Sequence, residues 1–233
     1  MRHAPTATAW SRRLARAAGF AGCALLAACA SRPPVPDWQA QAHGAAQRAV
    51  QASLDGSERV ARQEWSRARE QVARTGDPGL LARLELLHCA VQTASVVPEA
   101  CSRFEALRAD AAAPEQAYAA YLAGQPLAAG AVALLPPAQQ AVARAAPGQA
   151  YAQVAALADP LAQLVAAGVL LRRGQLTPHL AQTAVDTASR QGWRRPLLAW
   201  LGVQLRLAEQ AGEAQQAAHV RRRMDVVEQG GRP

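Results

Sequence analysis

Apolar side chains recur every three to four residues along most of the chain from position 37 onward, as expected for amphipathic helices. In the second such segment these positions are Ala61, Trp65, Ala68 and Val72. Breaks containing glycine, proline or aspartate separate the segments, and residues suited to helix caps stand at several of their starts. The pattern predicts helices at about 37–54, 57–74, 78–91, 98–107, 114–122, 160–173, 177–191, 196–211 and 213–228.

Residues 125–158 are rich in alanine, glutamine and proline, and Pro136-Pro137 and Pro147-Gly148 divide them into short predicted helices. No segment alternates with the period of a β-strand. Alanine and leucine, which lead the helix-propensity scale, are abundant, whereas aromatic residues make up 4% of the chain. The sequence therefore predicts an all-α domain over residues 37–228, followed by a disordered tail at 229–233.

The first 28 residues have the organisation of an export signal. Residues 1–16 carry arginines and no acidic residue, and residues 17–28 form an uncharged apolar run of 12 residues. A transmembrane helix needs about 20 such residues, whereas 12 is a usual length for the core of a signal peptide. We therefore predict that residues 1–28 are a signal peptide.

The apolar run ends in Leu26-Ala27-Ala28-Cys29. This motif resembles the lipobox of bacterial lipoproteins, in which a lipid transferase and a dedicated peptidase recognise a leucine, two small residues and a cysteine. The resemblance implies removal of residues 1–28 and a covalent lipid on Cys29. Cys23 fits less well, because the apolar run before it has about six residues. An ordinary cleaved secretion signal is the alternative.

Residues 29–36 then form the lipidated cysteine and a tether with three prolines. Proline favours the polyproline II conformation, which would place the domain roughly 20 Å from the lipid. Ala30 and Ser31 follow the cysteine, where an aspartate tends to retain such lipoproteins in the inner membrane. The resemblance therefore implies an anchor in the outer membrane, with the domain on its periplasmic face.

Weak internal repetition is present in the last third of the chain, where Pro160 and Pro196 stand 36 residues apart. A helix-pair period in the mid-thirties is typical of tetratricopeptide arrays. The first predicted hairpin resembles this family more closely, with a glycine at the turn, two small residues and a large aromatic one: Gly56, Ala61, Ala68 and Trp65. The resemblance implies antiparallel helical hairpins in a tetratricopeptide-like α-solenoid. An irregular helical bundle is the alternative.

The same resemblance implies a ligand groove, because the first helix of each pair lines the concave surface of a tetratricopeptide array. Alignment of Gly56 with the turn of that family places four small or modestly polar residues on this surface: His43, Ala46, Val50 and Ser53. Such residues would admit an extended segment or a helix of a partner protein.

Cys89 and Cys101 remain as a pair once Cys29 carries lipid, in a compartment that is oxidising. They lie six residues on either side of position 95, near a break between predicted helices. In an antiparallel hairpin each would lie about 9 Å from the turn. The sequence therefore predicts a Cys89–Cys101 disulfide, with two buried free thiols as the alternative.

Motifs for catalysis or metal binding are not found in the sequence. His88 adjoins Cys89, but neighbouring helical residues point about 100° apart, and no further ligand follows at zinc-site spacing. Glu64 and Glu70 flank Trp65 without a defined partner group. We therefore predict no enzymatic activity, no metal, no small-molecule substrate, and no cofactor apart from the lipid.

The formal net charge is +8, and the chain contains arginine but no lysine. Because four of the 25 basic residues and none of the 17 acidic ones lie in residues 1–28, the remainder would carry about +4. Three arginine clusters are typical of solvated helix faces, with contact to phospholipid headgroups or an acidic partner as the functional alternative. These clusters are Arg172-Arg173, Arg194-Arg195 and Arg221-Arg222-Arg223. The predicted compartment argues against nucleic acid.

These features predict a membrane-anchored periplasmic lipoprotein that acts as a non-enzymatic protein-binding scaffold or assembly factor in the cell envelope. The chain resembles outer-membrane lipoproteins with tetratricopeptide-like repeats and is similar to uncharacterised short lipoproteins of β-proteobacteria. The alternative is a cell-envelope enzyme such as a peptidoglycan hydrolase.

Overall fold

A computed structural model describes residues 35–230 of the chain. All regular structure in this range is helical and it contains no strand, which confirms the predicted all-α fold class. The helices are α1 (Asp37–Leu54), α2 (Glu58–Ala73), α3 (Pro78–Ala94), α4 (Ser102–Glu105), α5 (Ala113–Leu122), α6 (Ala129–Val132), α7 (Pro137–Arg144), α8 (Ala150–Ala155), α9 (Pro160–Arg172), α10 (Pro178–Gln191), α11 (Arg194–Gln210) and α12 (Ala214–Gln229). Short 3₁₀ turns lie at Arg108–Asp110 and Pro147–Gln149.

Several helix boundaries follow from capping residues that the sequence already shows. Asp77 accepts hydrogen bonds from the backbone N–H groups of Gly79 and Leu80 at the start of α3, and Pro78 takes the first helical position. Gly192 ends α10 with a φ of 68°, a left-handed conformation that glycine adopts without strain. These local signals explain why most predicted helices lie within a few residues of the observed ones.

The hairpin of α1 and α2 is held together by small side chains around one large one. Ala49 and Ala68 are fully buried, so the two backbones approach closely. The indole of Trp65 packs beside them, and its Nε1 donates a hydrogen bond of 3.1 Å to Ser53 Oγ. A buried tryptophan thereby satisfies its single polar group, as such residues normally do.

Helix α9 is the most apolar long helix and packs against α3, with α10 on another side. At Gly168, α9 comes so close to α3 that a Cβ added at this glycine would lie 2.3 Å from the carbonyl oxygen of Thr93. A glycine is therefore required at this crossing for steric reasons.

Hydrogen bonds also join elements that are far apart in sequence. Trp200 Nε1 on α11 donates to the carbonyl oxygen of Ala94 at 3.0 Å. The guanidinium of Arg172 donates to the carbonyl oxygens of Val97 and Leu122. In a solenoid each repeat contacts only its neighbours. These contacts therefore favour the irregular helical bundle over the stacked solenoid.

Two predicted boundaries need correction, whereas the short helices predicted within 125–158 are present. The helix predicted at 98–107 is replaced by an irregular stretch at 97–101 and the four-residue α4, because Arg172 and the pairing of Cys101 with α3 hold that stretch out of helical conformation. Helix α12 extends to Gln229, so this residue is helical although the predicted tail includes it, and residues 231–233 lie outside the described part of the chain. No described helix has both the length and the apolar character to cross a membrane.

Candidate functional site

Four arginines from three parts of the bundle surround a pocket of about 320 Å³, which we call the arginine pocket. Helix α2 contributes Arg62 and Arg69, α4 contributes Arg103, and α11 contributes Arg195. The remaining lining residues are Ser53, Glu58, Ala61, Trp65, Ser66 and His88. The pocket is therefore predominantly polar and cationic.

The floor of the pocket is a buried side chain held by hydrogen bonds and a ring contact. Trp65 is buried and donates a hydrogen bond to Ser53 Oγ. The centroid of its ring lies 4.6 Å from the ring centroid of His88. Ser53 Oγ in turn donates to the carbonyl oxygen of Ala49 at 2.7 Å. This chain of contacts ties α1, α2 and α3 together below the arginines.

A buried ion pair fixes one of the four arginines. Arg69 donates to both oxygens of Glu85, from Nε at 2.5 Å and from Nη2 at 2.8 Å. Glu85 is almost fully buried, and His88 Nδ1 lies 3.9 Å from its Oε2. Burial raises the pKa of the Glu85 carboxyl, but the two hydrogen bonds from Arg69 and the proximity of Arg69 and His88 outweigh it and hold the pKa at about 2. Glu85 is thus ionised and neutralises Arg69.

The charges around the pocket do not balance. Arg69 is paired with Glu85 and Arg195 with Glu58, whereas Arg62 and Arg103 have no carboxylate partner among residues 35–230. Two positive charges are therefore in excess around a concave surface, which concentrates the field and attracts an anionic group.

The two cysteines of the predicted disulfide lie at disulfide distance, with the Cα atoms of Cys89 and Cys101 5.7 Å apart. The geometry of the pair differs from the predicted hairpin, because Cys101 precedes the short α4 instead of lying within a long helix. Cys89 adjoins His88, and Cys101 stands two residues before Arg103. The disulfide thereby holds Arg103 beside the pocket, next to the helix that carries His88.

The predicted groove on α1 needs correction at two of its four positions. Ala46 and Ser53 are buried, Val50 is half-buried, and His43 is exposed. The reason is that the alanine-rich face of α1 packs against α2, α3 and α11, which buries most of that face. Of the four, Ser53 lines the arginine pocket, where it supports Trp65.

The two glutamates that flank Trp65 in the sequence bind neighbouring side chains of the fold. Glu64 is buried and pairs with Arg48 and Arg67, and Glu70 accepts a hydrogen bond from Ser66. Cys29, the predicted lipid attachment site, lies outside the described residues. Within the described part of the chain, no cluster of three or more histidine, cysteine, aspartate or glutamate residues could hold a metal.

The arginine clusters differ in their surroundings. Burial lowers the pKa of Arg172, which donates to backbone carbonyls, and Arg173 donates to the carbonyl oxygen of Gln125. Arg221 pairs with Glu209, and Arg194 donates to a carbonyl at the end of α12. Only Arg195 among these clusters lines the arginine pocket.

Sequence reasoning did not find the arginine pocket as a unit. A partial signal exists, because Arg62 and Arg69 are seven residues apart and therefore lie two turns apart on one face of α2. Nothing in the local sequence relates these residues to Arg103 or Arg195, which reach the pocket through tertiary packing.

Comparisons of the chain with protein-family models, curated proteins and solved structures find no match.

Proposed function

We propose that this protein is a lipid-anchored lipoprotein on the periplasmic face of the outer membrane. Its helical domain would be a non-enzymatic scaffold that binds an acidic segment of another envelope protein in the arginine pocket. The observation that carries the binding role is the pair of unpartnered arginines, Arg62 and Arg103, beside two arginines that are already neutralised.

The proposed location in the cell envelope is supported by the lipobox-like Leu26-Ala27-Ala28-Cys29 and the apolar run before it. The bonded pair of Cys89 and Cys101 agrees with export, because disulfides persist in the periplasm and are rare in the reducing cytosol. A tether of seven residues, 30–36, would keep the arginine pocket near the membrane, where envelope assemblies are located.

The binding role is supported by the chemistry of arginine. A guanidinium is always charged and can bind a carboxylate through two parallel hydrogen bonds. Arg62 and Arg103 come from different elements, so an acidic segment could be held from two sides of the pocket. The binding should weaken as salt is added, because both side chains are exposed.

The test is photo-crosslinking in cells from position 66, an exposed position that lines the arginine pocket. We expect a discrete protein adduct from this position and none from position 189, an exposed serine on α10. The double substitution Arg62→Gln/Arg103→Gln should abolish the adduct, because it removes the two unpaired charges.

The matched control for charge is Arg206→Gln, which removes an exposed arginine of α11 that does not line the pocket and should leave the adduct unchanged. An adduct that survives the double substitution would refute the role of the pocket. Absence of any adduct, together with hydrolysis of purified peptidoglycan by the purified protein, would favour the enzyme instead.

A further inference from the structure

A second concave surface, of about 300 Å³, lies between α10, α11 and α12, and we call it the α12 groove. It shares no lining residue with the arginine pocket. Most of its lining comes from α12, at a spacing that puts the side chains on one face of that helix. The lining residues are Ser189 of α10, Leu197 and the fully buried Leu201 of α11, and His219, Arg222, Arg223, Val226 and Val227 of α12.

The groove has a basic end and an apolar end. Its two arginines stand one helical turn before its two valines on α12. Arg194, at the start of α11, donates to the carbonyl oxygen of Glu228, so the start of α11 lies beside the end of α12. Leu197 is one turn further along α11 and therefore joins the valines at the apolar end.

Side chains at both ends of the groove are accessible to solvent. Arg222 is exposed and Arg223 is partly exposed. Val226 is 63% exposed, more than any other large apolar side chain among residues 35–230. Leu197 and Val227 are partly exposed beside it. An occupant can therefore reach two guanidinium groups and an apolar surface in the same groove.

The two arginines of the groove have no acidic partner. Neither guanidinium, of Arg222 or of Arg223, forms a hydrogen bond or an ion pair with a residue in the described range, whereas the preceding Arg221 is paired with Glu209. No acidic residue lines the groove in this part of the chain. Two uncompensated positive charges on a concave surface attract an anionic group, and a guanidinium binds phosphate oxygens through two parallel hydrogen bonds.

The apolar end of the groove decides the class of occupant. A free phosphate or an acidic peptide would satisfy the arginines, but it would leave the apolar surface of Leu197 and Val226 in water. A phospholipid carries a phosphate and an acyl chain in one molecule and would cover both ends. The volume of the groove lies at the lower end of the range for small-molecule sites, roughly 300–1,000 Å³, which suits one chain and not a whole lipid.

We propose that the α12 groove binds an anionic phospholipid, with its phosphate on Arg222 and Arg223 and one acyl chain along Leu197, Val226 and Val227. For a lipid in a bilayer, this contact would bring α12 to the membrane surface. The inference is independent of the arginine pocket and of the proposed lipid anchor, because it concerns only residues of α10, α11 and α12.

The probes are three soluble molecules that separate the two ends of the groove. Dihexanoyl phosphatidylglycerol is anionic, dihexanoyl phosphatidylcholine has the same chains and no net charge, and glycerol phosphate has the phosphate without the chains. They would be titrated into the purified full-length protein, below the concentration at which the lipids form micelles, and followed by calorimetry. We expect saturable binding of the phosphatidylglycerol, at least about tenfold tighter than that of either other probe.

Substitutions of accessible residues test each end without disturbing the core. Arg222→Gln/Arg223→Gln should weaken phosphatidylglycerol binding by about tenfold or more, because it removes both charges. Arg206→Gln removes an exposed arginine of α11 outside the groove and should leave all affinities unchanged. Val226→Gln should weaken both phospholipids by a few-fold and leave glycerol phosphate unchanged. Any binding by residues before 35 would be the same in every variant, so the differences report on the groove.

The proposal is overturned if phosphatidylglycerol does not saturate, or if the double arginine substitution leaves its affinity unchanged. Equal affinity for phosphatidylcholine would show that charge does not select the lipid, and equal affinity for glycerol phosphate would show a site for free phosphate. Unchanged affinities in Val226→Gln would contradict the contact with the acyl chain. A protein adduct from position 189, which lines the groove, would show that a protein occupies it instead of a lipid.

Discussion

Gly168 shows how one residue decides the packing of two long helices. Glycine in a helix interior normally destabilises by roughly 0.5–1 kcal/mol relative to alanine. In α9 this cost is offset, because the absence of a side chain lets the backbone of Thr93 on α3 approach directly. The nearest atom to an added Cβ is a backbone carbonyl oxygen, which cannot rotate away as a side chain could.

We therefore expect Gly168→Ala to destabilise the protein by about 1–3 kcal/mol or more through overpacking. Gly202→Ala, in the middle of α11, is the matched control because no atom lies within 4 Å of its added Cβ. That substitution should stabilise by up to about 1 kcal/mol through helix propensity. Urea unfolding midpoints of the two variants test this difference, and equal shifts of the same sign would contradict it.

At the scale of elements, the four-residue helix α4 depends on the disulfide between Cys89 and Cys101. Helix α4 has four residues, too few to be stable without support. The disulfide joins Cys101, just before α4, to Cys89 on α3, and Phe104 of α4 is fully buried. These two attachments place Arg103 at the arginine pocket, so the disulfide contributes to the candidate site as well as to stability.

Removal of the disulfide should lower the free energy of unfolding by about 3 kcal/mol, the chain-entropy value for a loop of this length. The measurement is thermal unfolding of wild type and Cys89→Ala/Cys101→Ala, each with and without reductant. Reductant should lower the Tm of the wild type and leave that of the variant unchanged. Alkylation of Cys89 and Cys101 themselves, located by peptide mapping of the unreduced, denatured wild type, would show that the bond is absent.

At the scale of the whole helical bundle, as described for residues 35–230, helix α11 packs back onto the first three helices. Helix α11 contacts α1, its Arg195 pairs with Glu58 of α2, and its Trp200 donates to the last residue of α3. The arginine pocket exists because of this closure, since it combines Arg195 with residues more than 90 positions earlier. An open array of hairpins would leave these groups apart.

The proposed anchoring of the protein in the outer membrane depends on Cys29. Radiolabelled palmitate should enter the wild-type protein in bacterial cells and should not enter Cys29→Ser, because the substituted chain lacks the sulfur that forms the thioether. Cys23→Ser is the matched control, since it removes a cysteine six residues earlier and should still be labelled. Equal labelling of wild type and Cys29→Ser would overturn the lipoprotein assignment.

Much of the local structure could be predicted from the sequence because its causes are local. Asp77 and Pro78 specify the start of α3, Gly192 specifies the end of α10, and apolar spacing specifies the buried faces between such signals. The pairing of Cys89 with Cys101 was also predictable, since the number of cysteines and the expected compartment leave few possibilities. The all-α fold class follows from the sum of these signals.

The arrangement of the helices and the arginine pocket were decided by tertiary structure. Alanine-rich faces pack well in many relative positions, so the periodicity of α1 predicts that a face is buried without saying which helix covers it. This is why Ala46 and Ser53 were predicted on an open groove and are instead in the core. The sequence determined which residues form helices and which cysteines pair. Only packing over long separations decided that Arg62, Arg103 and Arg195 share one pocket, because that depends on the relative positions of whole helices.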